Sequence, residues 1–150
     1  MKHAHLIKLT VFSHETLDRN KILESLNNFF PFNLKQSKIE IKITNVEGFN
    51  GKNIEIFEIT LTKNSLIKLF IKSLLDRLDN QQKELILEQA ESRLDDNLDF
   101  FLRFDKNFWM NGQKLVLTDS GNCFHLRINI AAFPKKREAA LKIVKEMFLK

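Results

Sequence analysis

Two hydrophobic periods run through the chain, strict alternation and a recurrence near 3.6, and together they divide it into elements. Ile7, Leu9 and Val11 alternate with polar neighbours and predict a first strand over His3–Phe12. Ile22, Leu23, Leu26, Phe29 and Phe30, entered at Leu17, predict a helix over about residues 15–29, capped by Ser13 and stopped by Pro31. Ile39, Ile41 and Ile43 alternate with Glu40, Lys42 and Thr44 in a second strand. Asn50-Gly51 is a strong hairpin signal. Ile54 to Leu61 returns as the partner strand, with a slip in alternation at Ile56-Phe57 that a bulge would accommodate.

A broad apolar stripe of Leu66, Ile67, Phe70, Ile71, Leu74, Leu75 and Leu78 predicts a helix over residues 63–79. Asn80 breaks and re-caps the chain, and a more polar helix over about residues 81–94 turns Leu85, Ala90 and Leu94 inward. Phe100, Leu102 and Phe104 then alternate with Phe101, Arg103 and Asp105. Phe108-Trp109-Met110 leads into an Asn111-Gly112 turn, a short strand over Lys114–Thr118 and a second turn at Ser120-Gly121. Phe124, Leu126, Ile128 and Ile130 alternate with Cys123, His125, Arg127 and Asn129 in the last strand. The closing helix, about residues 135–149, buries Ala140, Ile143, Val144, Met147 and Phe148.

The order β-α-β-β-α-α-β-β-β-α predicts an α+β two-layer sandwich, a mainly antiparallel sheet with helices packed on one face and the other face open. At 150 residues, without a linker or internal repeat, the chain is expected to form one domain over 1–150.

Charge changes this picture. Residues 1–97 carry 14 Lys+Arg and 14 Asp+Glu; residues 98–150 carry 10 and 5, so the whole formal excess of +5 lies in the last third. Localised basicity points to an anionic partner. No apolar run approaches the roughly 18–20 residues of a membrane span. His3, His5 and Lys8 interrupt any apolar signal-peptide core, so a cytoplasmic protein with no membrane partner is expected. Cys123 is the single cysteine, which excludes an intrachain disulfide and a cysteine-based zinc cluster. The 14 Phe beside one Trp and no Tyr have no functional explanation at this level.

Candidate chemistry is sparse. Asp95, Asn97 and Asp99 open like a calcium loop, but Phe100 and Lys106 stand where Gly and Glu are required. No nucleophile elbow, phosphate-binding loop or dinucleotide glycine pattern occurs. No catalytic residue, metal site or cofactor is therefore expected. The oddity lies at Pro134-Lys135-Lys136-Arg137. Pro134 suits the first position of a helix, yet the next three residues are cations at the positive end of the helix dipole, each costing about 0.3–1 kcal/mol at low salt. A bound phosphate would reverse that cost; a solvated, salt-screened basic turn is the plainer reading. On the dipole argument, Glu at these three positions would slightly stabilise the fold while abolishing the binding of an anionic partner there.

The remaining cations, Arg103, Lys106, Lys114 and Arg127, fall on outward positions or at turns of the same third, with His125 beside Arg127. His125 fits a phosphate contact or base stack as well as an ordinary surface histidine. Phe101 shares its strand side with Arg103, and Phe49 stands at a hairpin tip beside Lys52; both are candidates for stacking on an unpaired base.

The first strand with its histidines, the segment from Gly48 to Ile54, Leu102-Arg103-Phe104-Asp105-Lys106, His125-Leu126-Arg127-Ile128 and Pro134-Lys135-Lys136-Arg137-Glu138 together resemble the archaeal RNA-binding family described as a predicted exosome subunit. The resemblance covers nearly the whole chain in order and spacing. It implies a fold like that of the ribosomal large-subunit protein that binds 5S rRNA, with a curved sheet and helices on one side. It also implies an RNA-linked role, carries no established catalytic residues, and draws attention to Arg103, Asp105, Lys106, His125, Arg127, Lys136 and Arg137. Phe104 and Phe108-Trp109-Met110 depart from the family pattern and leave that local surface open.

The expected function is thus non-catalytic RNA binding, largely through the phosphate backbone, in an accessory role in RNA processing with subunits of an RNA-processing complex as further partners. The alternative is a protein-interaction or assembly subunit, or a homodimer, without direct RNA contact. A hydrolase ranks last; it would need a pocket gathering Asp105, Asp119 and His125.

Overall fold

The computed structural model describes residues 2–14, 19–48 and 51–149. In chain order its elements are β1 (Ala4–His14), α1 (Arg19–Phe29), β2 (Lys42–Glu47), β3 (Asn53–Leu61), α2 (Asn64–Arg77), α3 (Asn80–Glu88), α4 (Ala90–Arg93), β4 (Asp99–Asp105), α5 (Lys106–Gly112), β5 (Cys123–Ile130) and α6 (Arg137–Phe148). The strands form one open antiparallel sheet in the order β2-β3-β1-β5-β4, and the fold is the expected two-layer α+β sandwich. Contacts gather into two compact units. One comprises Met1–Ile7, Leu61–Leu102 and Arg127–Lys150, the other Lys8–Thr60 and Arg103–Leu126.

In the second unit, alternation turns Leu9, Val11, Phe57, Ile59, Phe104, Phe124 and Leu126 into a shared core with Ile22 and Leu26 of α1. Phe29 is its hub: its ring lies 4.7 Å from Trp109, 5.6 Å from Phe124 and 6.0 Å from Phe104. The Trp109 indole N–H donates to the Ser25 carbonyl at 2.9 Å, which satisfies the ring's one polar atom inside the core. In the first unit, α6 packs on α3 and α4, and Phe148 sets its ring 5.8 Å from Phe100 of β4.

Several boundaries differ from the sequence expectation. Ser13 does not cap α1; it lies inside β1 and its hydroxyl donates to the His14 carbonyl. Leu17 and Phe49 lie outside the described residues. Ile39 donates its N–H to the Leu34 carbonyl and closes a turn, so pairing starts only at Lys42↔Glu58. From there the register is continuous to Glu47↔Asn53, with no bulge. The slip at Ile56-Phe57 instead reflects a side exchange: Phe57, Ile59 and Leu61 are buried, while Ile54 and Ile56 point to the other face and remain half-buried. The Gly48 N–H to Lys52 carbonyl bond, 2.7 Å, confirms the hairpin.

Asp79, not Asn80, caps α3, in a reciprocal box with Gln82. Leu85 is 40% exposed and Ile86 takes the inward position. Residues 114–118 form no strand, only the isolated Phe104↔Leu117 bridge, and the stretch before them, expected as a lead-in and turn, is the short helix α5.

Candidate nucleic-acid interface

Outward alternation in β1, β4 and β5 leaves a depression of about 280 Å³ in the second unit, walled by Thr10, Phe12, Arg103, Gly121, Cys123 and His125. The Arg103 guanidinium is exposed and anchored by one donor to the Asp119 carbonyl at 3.2 Å, with its other N–H groups left for a ligand. That carbonyl is held by a turn built on side-chain bonds, Ser120 N–H to Thr118 Oγ1 and Asn122 N–H to Ser120 Oγ, each 3.1 Å. Phe12 is 49% exposed and presents an aromatic face beside this cation and the His125 imidazole. Burial pushes the Cys123 thiol up from its ordinary pKa, against the opposing pull of Arg103 and Lys106, so the thiol stays protonated and apolar at neutral pH. An aromatic face, a guanidinium and an imidazole around a space of this size suit one nucleobase with its phosphate. Phe12 escaped the sequence reading. Its signal was present: an aromatic at an outward position between inward Val11 and Ser13.

Asp105 and Asp119 adjoin this depression without lining it, Asp119 through its carbonyl on Arg103. Asp105 is the N-cap of α5, its carboxylate accepting from the Phe108 N–H at 3.0 Å. Lys106, expected among the surface cations, is 2% exposed. Its ammonium donates to the Phe12 carbonyl, and burial lowers its pKa. The reason is α5: starting the helix at Lys106 swings this side chain under β1 instead of leaving it at a strand end. Lys114 is exposed and borders a shallow cavity of about 380 Å³ with Asn107, Phe108, Asn111 and Gly112. Phe108 is 53% exposed there, whereas Trp109 is in the core.

In the first unit, Arg127 and Phe101 are half-buried. Arg127 Nε lies 3.8 Å from Asp99 Oδ1, which also accepts from Asn129 Nδ2 at 2.9 Å. Arg127 is thus steered by a carboxylate, with its outer edge toward solvent. The tribasic turn also differs from expectation. Pro134 does not begin α6: Lys136 is extended at φ −134°, ψ 150°, and the helix starts at Arg137 with Glu138 in its first turn. Lys135 and Lys136 are exposed. The Arg137 guanidinium bridges two carbonyls at the end of α4, donating to Leu94 O at 2.7 Å and to Glu91 O. That contact supplies the compensation missing from the sequence: a cation at the start of one helix caps the carbonyl end of another. These two hydrogen bonds oppose the expectation that Glu at all three positions would stabilise the fold, since Glu at 137 would lose both.

Among the described residues no helix is long and apolar enough to cross a membrane. The chain is 32% identical over 143 residues to the RNA-binding protein PAB1135 of Pyrococcus abyssi, covering 95% of this chain and 92% of that one. The crystal structure of protein AF2318 from Archaeglobus fulgidus superposes with a TM-score of 0.85 at 30% identity, covering 96% and 99% of the two chains. The protein Mth689 of Methanothermobacter thermautotrophicus shares the fold, with a TM-score of 0.79 at 23% identity over 97% of this chain and 98% of its own. Residues 6–130 match the family described as RNA binding, and the chain belongs to that family.

Proposed function

We propose that this protein is a non-catalytic RNA-binding factor that acts in the cytoplasm as an accessory to RNA processing, of the exosome-linked kind its family resemblance implies. The observation that carries the reading is the Phe12–Arg103–His125 depression, an aromatic and cationic cup on an open sheet, lying inside the span that matches the family. Arg103 and Lys114 in one unit and Arg127, Lys135 and Lys136 in the other supply phosphate contacts. His125 and Phe12, with Phe101, face bases. Lys106 has no part in contacting RNA, because its ammonium is internal. Arg137 acts by holding the loop that carries the two lysines. Binding is mostly electrostatic and weakly sequence-specific.

Fluorescence anisotropy with a short single-stranded and a hairpin RNA across a salt series tests this. Each phosphate contact on a single strand contributes about −0.7 to the log–log slope, so five engaged cations give about −3.5 and the cations of one unit about −1.4 to −2.1. Absence of binding at low salt would overturn the proposal. It would favour the second reading, an assembly subunit or homodimer contacting protein through exposed Phe108.

A further inference from the structure

Phe133 is 96% exposed, well beyond Phe12, Phe108 or any other large apolar side chain among the described residues. A scattered apolar residue on a surface needs no explanation. A fully presented ring on a secured loop, just ahead of two exposed lysines, does. The loop is held at both ends. Ala131 donates its N–H to the His3 carbonyl at 2.9 Å, and Ala132 to the Ile130 carbonyl at 3.0 Å. On the far side Lys136 donates to the Pro134 carbonyl at 2.8 Å, and Arg137 grips the carbonyls that end α4. Pro134 follows the ring directly and restricts the backbone further. The ring is therefore displayed from a chain that has little freedom left to lose on binding. Lys135 and Lys136 are both exposed, and neither makes an ion pair among the described residues.

From this we infer that Phe133 is a base-stacking platform: an unpaired nucleobase of single-stranded RNA stacks on its ring while Lys135 and Lys136 hold the flanking phosphates. Charge selects the occupant. Two unpaired cations beside an aromatic face are complementary to a strand that alternates flat bases with phosphates. An apolar peptide would leave both lysines without partners. The inference rests on the RNA-binding reading above. It adds a contact that lies beyond residues 6–130, outside the span matched by the family.

The test uses the full chain with the variants Phe133→Ala and Phe133→Trp and three probes: a short oligouridylate, inorganic polyphosphate as an anion without bases, and phosphatidylserine vesicles. Because the ring is exposed, Phe133→Ala should keep the wild-type melting temperature. It should weaken oligouridylate binding about 5- to 100-fold, the loss expected for one base stack, with an unchanged salt slope and unchanged affinity for polyphosphate. Phe133→Trp should restore binding, and its solvent-exposed emission should be quenched by oligouridylate. If the wild type binds oligouridylate and Phe133→Ala binds it equally well, the stacking platform is refuted while the RNA-binding reading stands. If Phe133→Ala loses polyphosphate or vesicle binding to the same degree, the ring meets something other than a base and the inference also fails. If the wild type binds no RNA, both fall together.

Discussion

Replacing Arg137 by Gln removes a guanidinium from the carbonyl end of α4 and leaves the Leu94 and Glu91 carbonyls without that donor. Hydrogen bonds from a charged donor contribute about 1.5–3 kcal/mol each when shielded. This residue is exposed as a whole, so roughly half of that applies, or about 1.5–3 kcal/mol for the pair. Removing a cation from the first turn of α6 returns about 0.3–1 kcal/mol. The net loss is therefore about 1–2 kcal/mol, a fall of roughly 2–8 °C in melting temperature for a chain of this length. Thermal unfolding followed by circular dichroism measures it, at low and at high salt. The loss should persist at high salt, since directed hydrogen bonds screen less than a dipole interaction. Arg137→Lys keeps the charge but not the planar fork, and should recover less than half of it. An unchanged or raised melting temperature in Arg137→Gln would refute the bridging role and restore the dipole argument that the sequence alone supports. Full recovery by Lys would show that charge, not fork geometry, matters.

Two further outcomes follow from the interior. Trp109→Phe forfeits the bond to Ser25 and leaves a small void in the aromatic cluster, and should cost roughly 1–3 kcal/mol in urea unfolding followed by circular dichroism, with RNA affinity unchanged; a loss under about 0.5 kcal/mol would mean the indole is not anchored as described. Lys106 has a folded pKa below its ordinary 10.5, caused by burial and partly opposed by Cys123; its contribution to stability is present above 10.5 and is lost as pH falls through the lowered folded value, so stability should rise with pH across that window in a Cys123→Ala background and stay flat once Lys106→Met is added.

What the sequence reveals depends on the length of each period. Phe100 to Asp105 and Phe124 to Ile130 alternate without interruption, and both strands, with the outward placement of Arg103, His125 and Arg127, follow directly. The stripe through Ile67, Phe70, Ile71 and Leu74 is long enough to fix α2. α5 has only seven residues, too few for a helical period to stand out, and its one signal is Asp105 three residues before Phe108. Without it, Lys106 reads as a surface cation at a strand end rather than a buried one. Arg137 was misjudged because its partners, Glu91 and Leu94, lie more than forty positions away, where no local rule reaches. Phe133 belongs to no element, and periodicity is silent about exposure in a loop.

The chain has one Trp and no Tyr, and that Trp is buried against Phe29 within a single compact unit. Its intrinsic emission is therefore an optical channel confined to that unit, while the helices α2, α3, α4 and α6 of the other unit speak mainly through their far-ultraviolet ellipticity. Nature has in effect labelled one half of the molecule and left the other dark. Overlaid emission and ellipticity curves from one denaturant titration would then show directly, without any engineered probe, whether the halves melt as one cooperative body or in sequence.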